Sequence, residues 1–265
     1  MTQNNYVLNL IEKLFRSNIY LFIFMRFLTG KFFSGFIYDR DFDILKILEK
    51  KNFFSKKKVI LDIGANDGMS YNSIRKFLKF NKIISFEPIP ELCKNLNKIK
   101  KKDKFFNFYN LALSNSRARK KFYIPYFKNY PLTQLSGISI NGIKKRLKES
   151  LYVNDLFKKL SIEKTYVETQ KLDKFQFNTN FIKMDLEGHE FECVQGSHQT
   201  IKKHKPILMI EYDPKICDKI FKVLKKMNYK KYIFNKSLKK IEPYNGQKIL
   251  NVFFINNEQT KSLGL

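Results

Sequence analysis

The sequence predicts an α/β protein: a doubly wound, mostly parallel sheet closed by an antiparallel C-terminal strand pair and preceded by an N-terminal helical segment. Three observations carry this. From residue 58, short apolar runs alternate with polar stretches of helical spacing, the pattern of a parallel sheet whose crossovers are helices. The first run ends in a glycine turn, Gly64 to Gly68, where such folds open their ligand crevice. The last two runs flank Asn245-Gly246, a signal for reversal of the chain.

The elements follow in order. KVILDIG (58–64) is the first strand, SYNSIRKFLKF (70–80) a helix, and KIISFEP (82–88) a second strand that stops at Pro88. A second helix, 90–102, starts at Pro90, whose missing N–H costs nothing there. FFNFYNLALS (105–114) reads as a third strand, FIKMDLEG (181–188) as a fourth and PILMIEYDP (206–214) as a fifth bounded by prolines. Residues 215–229 carry apolar side chains at helical spacing, and KKYIFN and ILNVFFIN form the closing pair. The chain of 265 residues suits one domain with appendages. These are an amphipathic, helical segment at 1–57, the sheet domain at 58–256 with an insertion at 115–180 expected to act as a substrate lid, and a tail at 257–265.

Charge and cysteine content narrow the function. The formal charge of +27 suggests polyanions, but only seven of the 51 basic residues are Arg, and no recognisable reading module gathers them. Nucleic-acid binding is disfavoured. Cys93, Cys193 and Cys217 are odd in number and lack CxxC spacing, which points to a reducing, cytoplasmic setting. The N-terminus carries no secretory pattern. Residues 17–38 are apolar, but Arg26, Gly30 and Lys31 interrupt them before the roughly 20 residues that a membrane span needs. Two readings of that segment stand: a cap packed on the domain, or an interfacial helix carrying Phe22, Phe24, Phe27, Phe32 and Phe33. The second brings peripheral contact with an anionic membrane at its inner face.

The unusual residues fall at the carboxyl ends of the strands. Asp62, Gly64, Asn66 and Gly68 follow the first strand with GxNxG spacing, which argues against a dinucleotide pyrophosphate. Glu87 ends the second strand 25 residues after Asp62, where an acid can accept both ribose hydroxyls of an adenosine. Together they suggest S-adenosylmethionine, with Asp62 and the turn facing the methionine part, Glu87 the ribose, and Leu111 and Ala112 the adenine edge. Around the end of the fourth strand cluster Asp185, Glu187, His189, Glu190 and Glu192.

At these motifs the sequence resembles the FkbM family of S-adenosylmethionine-dependent methyltransferases. The resemblance rests on VILDIGANDG, IISFEPIPE, NLALS, TQKLDKF, FIKMDLEGHEFECVQGS, PILMIEY and NVFFI, in that order over about residues 58–256. It implies a class I methyltransferase with a Rossmann-like sheet, acting on a hydroxyl of a saccharide or glycan-linked acceptor. An alcohol is a poor nucleophile until its proton has somewhere to go, and a carboxylate or His beside the fourth strand can take it. Asp185 is the first candidate base, followed by His189 and Glu190, while Glu187 would anchor the loop. Alternatively Asp185, Glu211 and Asp213, at neighbouring strand ends, hold a Mg²⁺ that acidifies the alcohol. A nucleic-acid methyltransferase and a non-catalytic binding module on the same fold remain the rival readings; the oligomeric state is not read from the sequence.

Overall fold

A computed structural model describes residues 18–21, 23, 24, 39–150 and 156–265. The two readings of segment 17–38 fall almost wholly outside the described residues. The chain divides into two compact units, Met1–Ile37 with Lys121–Tyr166, and Tyr38–Lys120 with Val167–Leu265.

Helix α1 (Ile44–Lys50) leads into β1 (Val59–Ile63), α2 (Met69–Phe77), β2 (Lys82–Phe86), α3 (Pro90–Lys102), β3 (Phe106–Tyr109) and β4 (Ala112–Leu113). Next come β5 (Ala118–Phe127), β6 (Tyr130–Pro131), α4 (Ile140–Ser150) and β7 (Leu160–Gln170). The chain continues through β8 (Thr179–Met184), α5 (Glu190–Gln195), α6 (His198–His204), β9 (Ile207–Glu211) and α7 (Pro214–Lys225). It ends with β10 (Tyr229–Asn235), β11 (Lys240–Pro243), β12 (Asn251–Asn256) and α8 (Asn257–Leu263). The main sheet has eight strands in the order β11-β10-β12-β9-β8-β1-β2-β3, and a second sheet has the order β4-β7-β5-β6. Pairings from β3 through β9 in the main sheet are parallel, and those of β12 with β9 and with β10 are antiparallel. The chain winds outward from β1 to β3, then returns to lay β8 on the other side of β1. That reversal is the switch point at which α/β sheets open a crevice.

Alternation of side chains builds two apolar layers in the larger unit. Ile60, Ile83, Phe181, Ile207 and Phe253 pack on one face with Leu45 and Leu48 of α1, Ile74 of α2 and Leu96 of α3. Leu61, Ile84, Ile182, Leu208 and Phe254 pack on the other with Val194, Ile201, Ile220 and Leu224. Every residue of β8 is buried, Phe181, Ile182 and Met184 as core and Thr179, Asn180 and Lys183 as buried polar groups; each large apolar side chain so covered contributes about 1.5–3 kcal/mol. In the smaller unit Ile19, Phe127, Leu132, Leu135, Ile143 and Leu147 form a separate cluster. Among the described residues no helix is long and apolar enough to cross a membrane.

Three local features differ from the sequence expectation. The third run breaks into β3 and β4, which enter different sheets. The Asn110 amide donates to the carbonyls of Glu87 and Pro88 (2.9 and 3.0 Å), turning the chain so that Ala112 and Leu113 pair with Thr169 and Gln170. The loop between the closing strands holds an extra strand, β11, paired antiparallel with β10. Residues 257–265 carry α8, whose Leu263 is buried in the core.

Candidate active site

The site grows from the ends of β1, β2, β8 and β9, all in the larger unit. Asp62, on β1, is wholly buried. Its carboxylate accepts from the Ser70 and Ser85 hydroxyls (2.7 and 3.1 Å) and faces the Lys183 ammonium at 3.4 Å. Asp62 is thus occupied within the protein, tying β1 to β2, α2 and β8. Lys183 also donates to the Gly64 carbonyl (2.7 Å) and lies 3.5 Å from Asp185. Burial alone would lower the Lys183 pKa, but Asp185 and Asp62 outweigh it and hold the ammonium above its ordinary value.

Gly64 has a reason of its own. Its φ is +80°, and a Cβ there would lie 1.9 Å from the Asp185 carbonyl oxygen, so glycine lets the end of β1 pass the end of β8. The following turn uses positive φ again at Asn66 and Gly68. Gly68 is the N-cap of α2 and supplies no side-chain cap.

Glu87 is buried at the end of β2. One of its oxygens accepts from the Asn66 N–H (2.8 Å) and the other from the Ile89 N–H (2.9 Å). Burial pushes the carboxyl up to about 7 against these hydrogen bonds and the pull of Lys183. Each oxygen keeps acceptor capacity beyond its single backbone donor. Leu111 and Ala112 lie at the start of the β4 excursion, both half-buried, next to the Asn110 turn that holds the Glu87 backbone.

Asp185 is half-buried, its side chain 43% accessible, and Glu211 beside it is exposed at the end of β9. The two lie close enough for their charges to repel. The protein crowding around Glu211, with the charges of Asp185 and Glu190, raises that carboxyl to about 8 against the pull of Lys183. Glu190 is buried and accepts from the Leu186 and Gly188 N–H groups (2.7 and 3.3 Å), so it fastens the loop, the task the sequence suggested for Glu187. Burial raises its pKa despite those donors.

His189 points its nitrogens elsewhere: Nε2 lies 2.9 Å from the Ser114 hydroxyl and Nδ1 lies 3.3 Å from Glu192. Ser114 is wholly buried and also accepts from Lys120 (3.0 Å). Burial lowers the His189 pKa; Glu192 opposes this and Lys120 adds to it. The imidazole links β4 to α5.

The Mg²⁺ reading is corrected by the geometry. Asp213 caps α7, its Oδ1 accepting from the Lys215 and Ile216 N–H groups (2.9 and 3.1 Å), while Asp185 lies 3.5 Å from the Lys183 ammonium. Among the described residues no group of three or more His, Cys, Asp or Glu is placed to hold a metal ion.

Sequence reasoning missed Lys183 and Ser114 as organising residues. The signal for Lys183 is its place between Ile182 and Met184 in a buried strand, where an ammonium needs a buried counter-charge. Ser114 carries no such mark.

The family model for the methyltransferase FkbM domain matches residues 62–233. No curated protein matches the chain. Among solved structures, the chain is similar to methyltransferase FkbM from Methylobacillus flagellatus KT, at 14% identity and a TM-score of 0.48 over 76% of this chain and 44% of that one. This chain therefore spans less than half of that relative's length. It is also similar to precorrin-6y C5,15-methyltransferase from Geobacter metallireducens GS-15, at 11% identity and a TM-score of 0.38 over 80% of this chain and 84% of that one.

Proposed function

The chain belongs to the methyltransferase FkbM domain family, and from that premise we propose that it is an S-adenosylmethionine-dependent O-methyltransferase acting on a hydroxyl of a saccharide or glycan-linked acceptor. The observation that carries the reading is the Asp185–Glu211 carboxyl pair at the switch-point rim, with Glu211 raised to about 8. A carboxylate at that rim can take the proton that an alcohol must lose to attack a methyl group.

The residues present fit the cofactor. Buried Glu87 has acceptor capacity for two ribose hydroxyls, and the Gly64–Gly68 turn presents backbone beside it. Carboxylates at the ends of β2, β8 and β9 suit a cationic sulfonium. When bound, S-adenosylmethionine supplies a methyl group on a positively charged sulfur. The chain's own residues do the rest. Asp185, a partly accessible carboxylate, accepts the proton of the acceptor hydroxyl beside Glu211; Lys183 fixes Asp185 and the turn. The three free, buried cysteines support a reducing, cytoplasmic setting.

The test is methyl transfer from labelled S-adenosylmethionine to a panel of saccharides, comparing the wild-type protein with Asp185→Asn. Turnover in the variant should fall by about two to four orders of magnitude, with S-adenosylhomocysteine affinity within about threefold. A fully active variant would sink the assignment.

A further inference from the structure

The other end of the parallel sheet has a different chemistry. Strands β1, β2 and β3 are neighbours in the main sheet and run in the same direction, so the segments leading into them emerge side by side. Those segments read SKKK (55–58), LKFNK (78–82) and KKKDKF (100–105). Their only acid, Asp103, is already engaged: Arg75 lies 2.7 Å from it and the Tyr71 hydroxyl donates to it at 2.9 Å. The lysines are exposed apart from half-buried Lys58. Lys58 and Lys203, with burial, depress His204, so the basic rim continues toward the start of β9. The opposite rim carries Glu87, Asp185 and Glu211. Charge is thus segregated along the strand axis, which a uniform excess of lysine would not produce.

At the centre of the basic rim stands Phe80, 60% exposed. Its loop is held firmly, because Arg75 donates to the carbonyls of Leu78, Lys79 and Asn81 (2.7, 3.0 and 3.0 Å). The ring makes an edge contact with Phe105 at 6.3 Å. Lys56 lies over Phe80 at 5.9 Å and Lys104 over Phe105 at 5.2 Å. A fixed aromatic side chain projecting from a field of ammonium groups matches an anionic bilayer surface, with lysines at the headgroups and the ring below them.

We propose that this rim is a docking surface for anionic lipid, centred on Phe80 and flanked by Lys56, Lys82 and Lys104. Lysine in place of arginine suits diffuse headgroup charge better than base or phosphate recognition, and the one arginine, Arg75, is turned to the protein's own carbonyls. Five-residue strands separate the two rims by roughly 17 Å, so docking here leaves the carboxylate rim facing the aqueous side.

Flotation of the full chain with phosphatidylcholine vesicles, with and without phosphatidylserine, tests this. Binding should require phosphatidylserine and weaken as salt is raised. Lys56→Gln/Lys82→Gln/Lys104→Gln should weaken it by about two orders of magnitude, at about fivefold per lysine, and Phe80→Ser about tenfold. S-adenosylhomocysteine titration of each variant should match the wild type, which separates loss of docking from loss of fold. Vesicle binding unchanged in both variants overturns the proposal, as does equal binding to neutral vesicles. Preferential capture by a single-stranded or duplex oligonucleotide added as competitor also overturns it and assigns the rim to nucleic acid.

Discussion

Replacing Lys183 with Met tests how the site is held together. The substitution keeps the length and apolar stem of the side chain while removing an ammonium 3.4 Å from Asp62, 3.5 Å from Asp185 and 2.7 Å from the Gly64 carbonyl. Asp185 is partly exposed and water replaces much of what it loses. Asp62 is wholly buried and keeps only the Ser70 and Ser85 hydroxyls. Breaking a buried pair by deleting one partner costs about 3–5 kcal/mol, which for a chain of this size lowers the midpoint of thermal unfolding by about 10 °C. Urea unfolding followed by circular dichroism measures it, with an unchanged denaturant slope expected. The companion variant Asp62→Asn/Lys183→Met should be more stable than the sum of the single changes by about 1–3 kcal/mol, because it removes both charges at once. A loss below about 1 kcal/mol for Lys183→Met, or strict additivity, would refute the reasoning.

Two further outcomes follow from single positions. Gly64→Ala places a Cβ 1.9 Å from a backbone oxygen that cannot swing away, so unfolding measurements should show a loss above about 3 kcal/mol. Gly246→Ala, with φ +89° but open space around it, should cost only about 1 kcal/mol; equal costs would contradict the close-approach argument. Burial raises Glu87 from its ordinary 4.5 to about 7, so its contribution to stability is fully present below pH 4.5 and is lost as pH rises to 7. The loss is about 3 kcal/mol. Glu87→Gln should flatten that stretch of the urea-midpoint profile, and a profile the substitution leaves unchanged would show that Glu87 titrates normally.

The strand ends were legible because parallel strands buried on both faces read as apolar runs and the unusual residues punctuate them. Gly64, Glu87 and Asp185 therefore stand out by position alone. The reason for Gly64 was not: its neighbour is the backbone of Asp185, and no spacing rule encodes that contact. The signal at Lys183 is faint in a chain so rich in lysine, and its partner Gly64 lies 119 residues away. The link from His189 to Ser114 spans 75 residues and joins a polar pair that looks ordinary in each segment. The third strand was read as continuous because its apolar character persists through Leu111 to Leu113. The break comes from the Asn110 amide binding the end of β2, a tertiary contact. The acids at the ends of β8 and β9 suggest a metal because strand order brings them near one another; Asp213's capping of α7 and the contact of Asp185 with Lys183 depend on side-chain direction.

On the proposed function, the ends of β1 and β2 form the S-adenosylmethionine site. Calorimetric titration of the wild-type protein and of Glu87→Ala with S-adenosylhomocysteine tests it most directly, with circular dichroism confirming that both are folded. The account predicts micromolar binding by the wild type and its loss in the variant. Absence of binding by the folded wild type, or equal binding by Glu87→Ala, would contradict it.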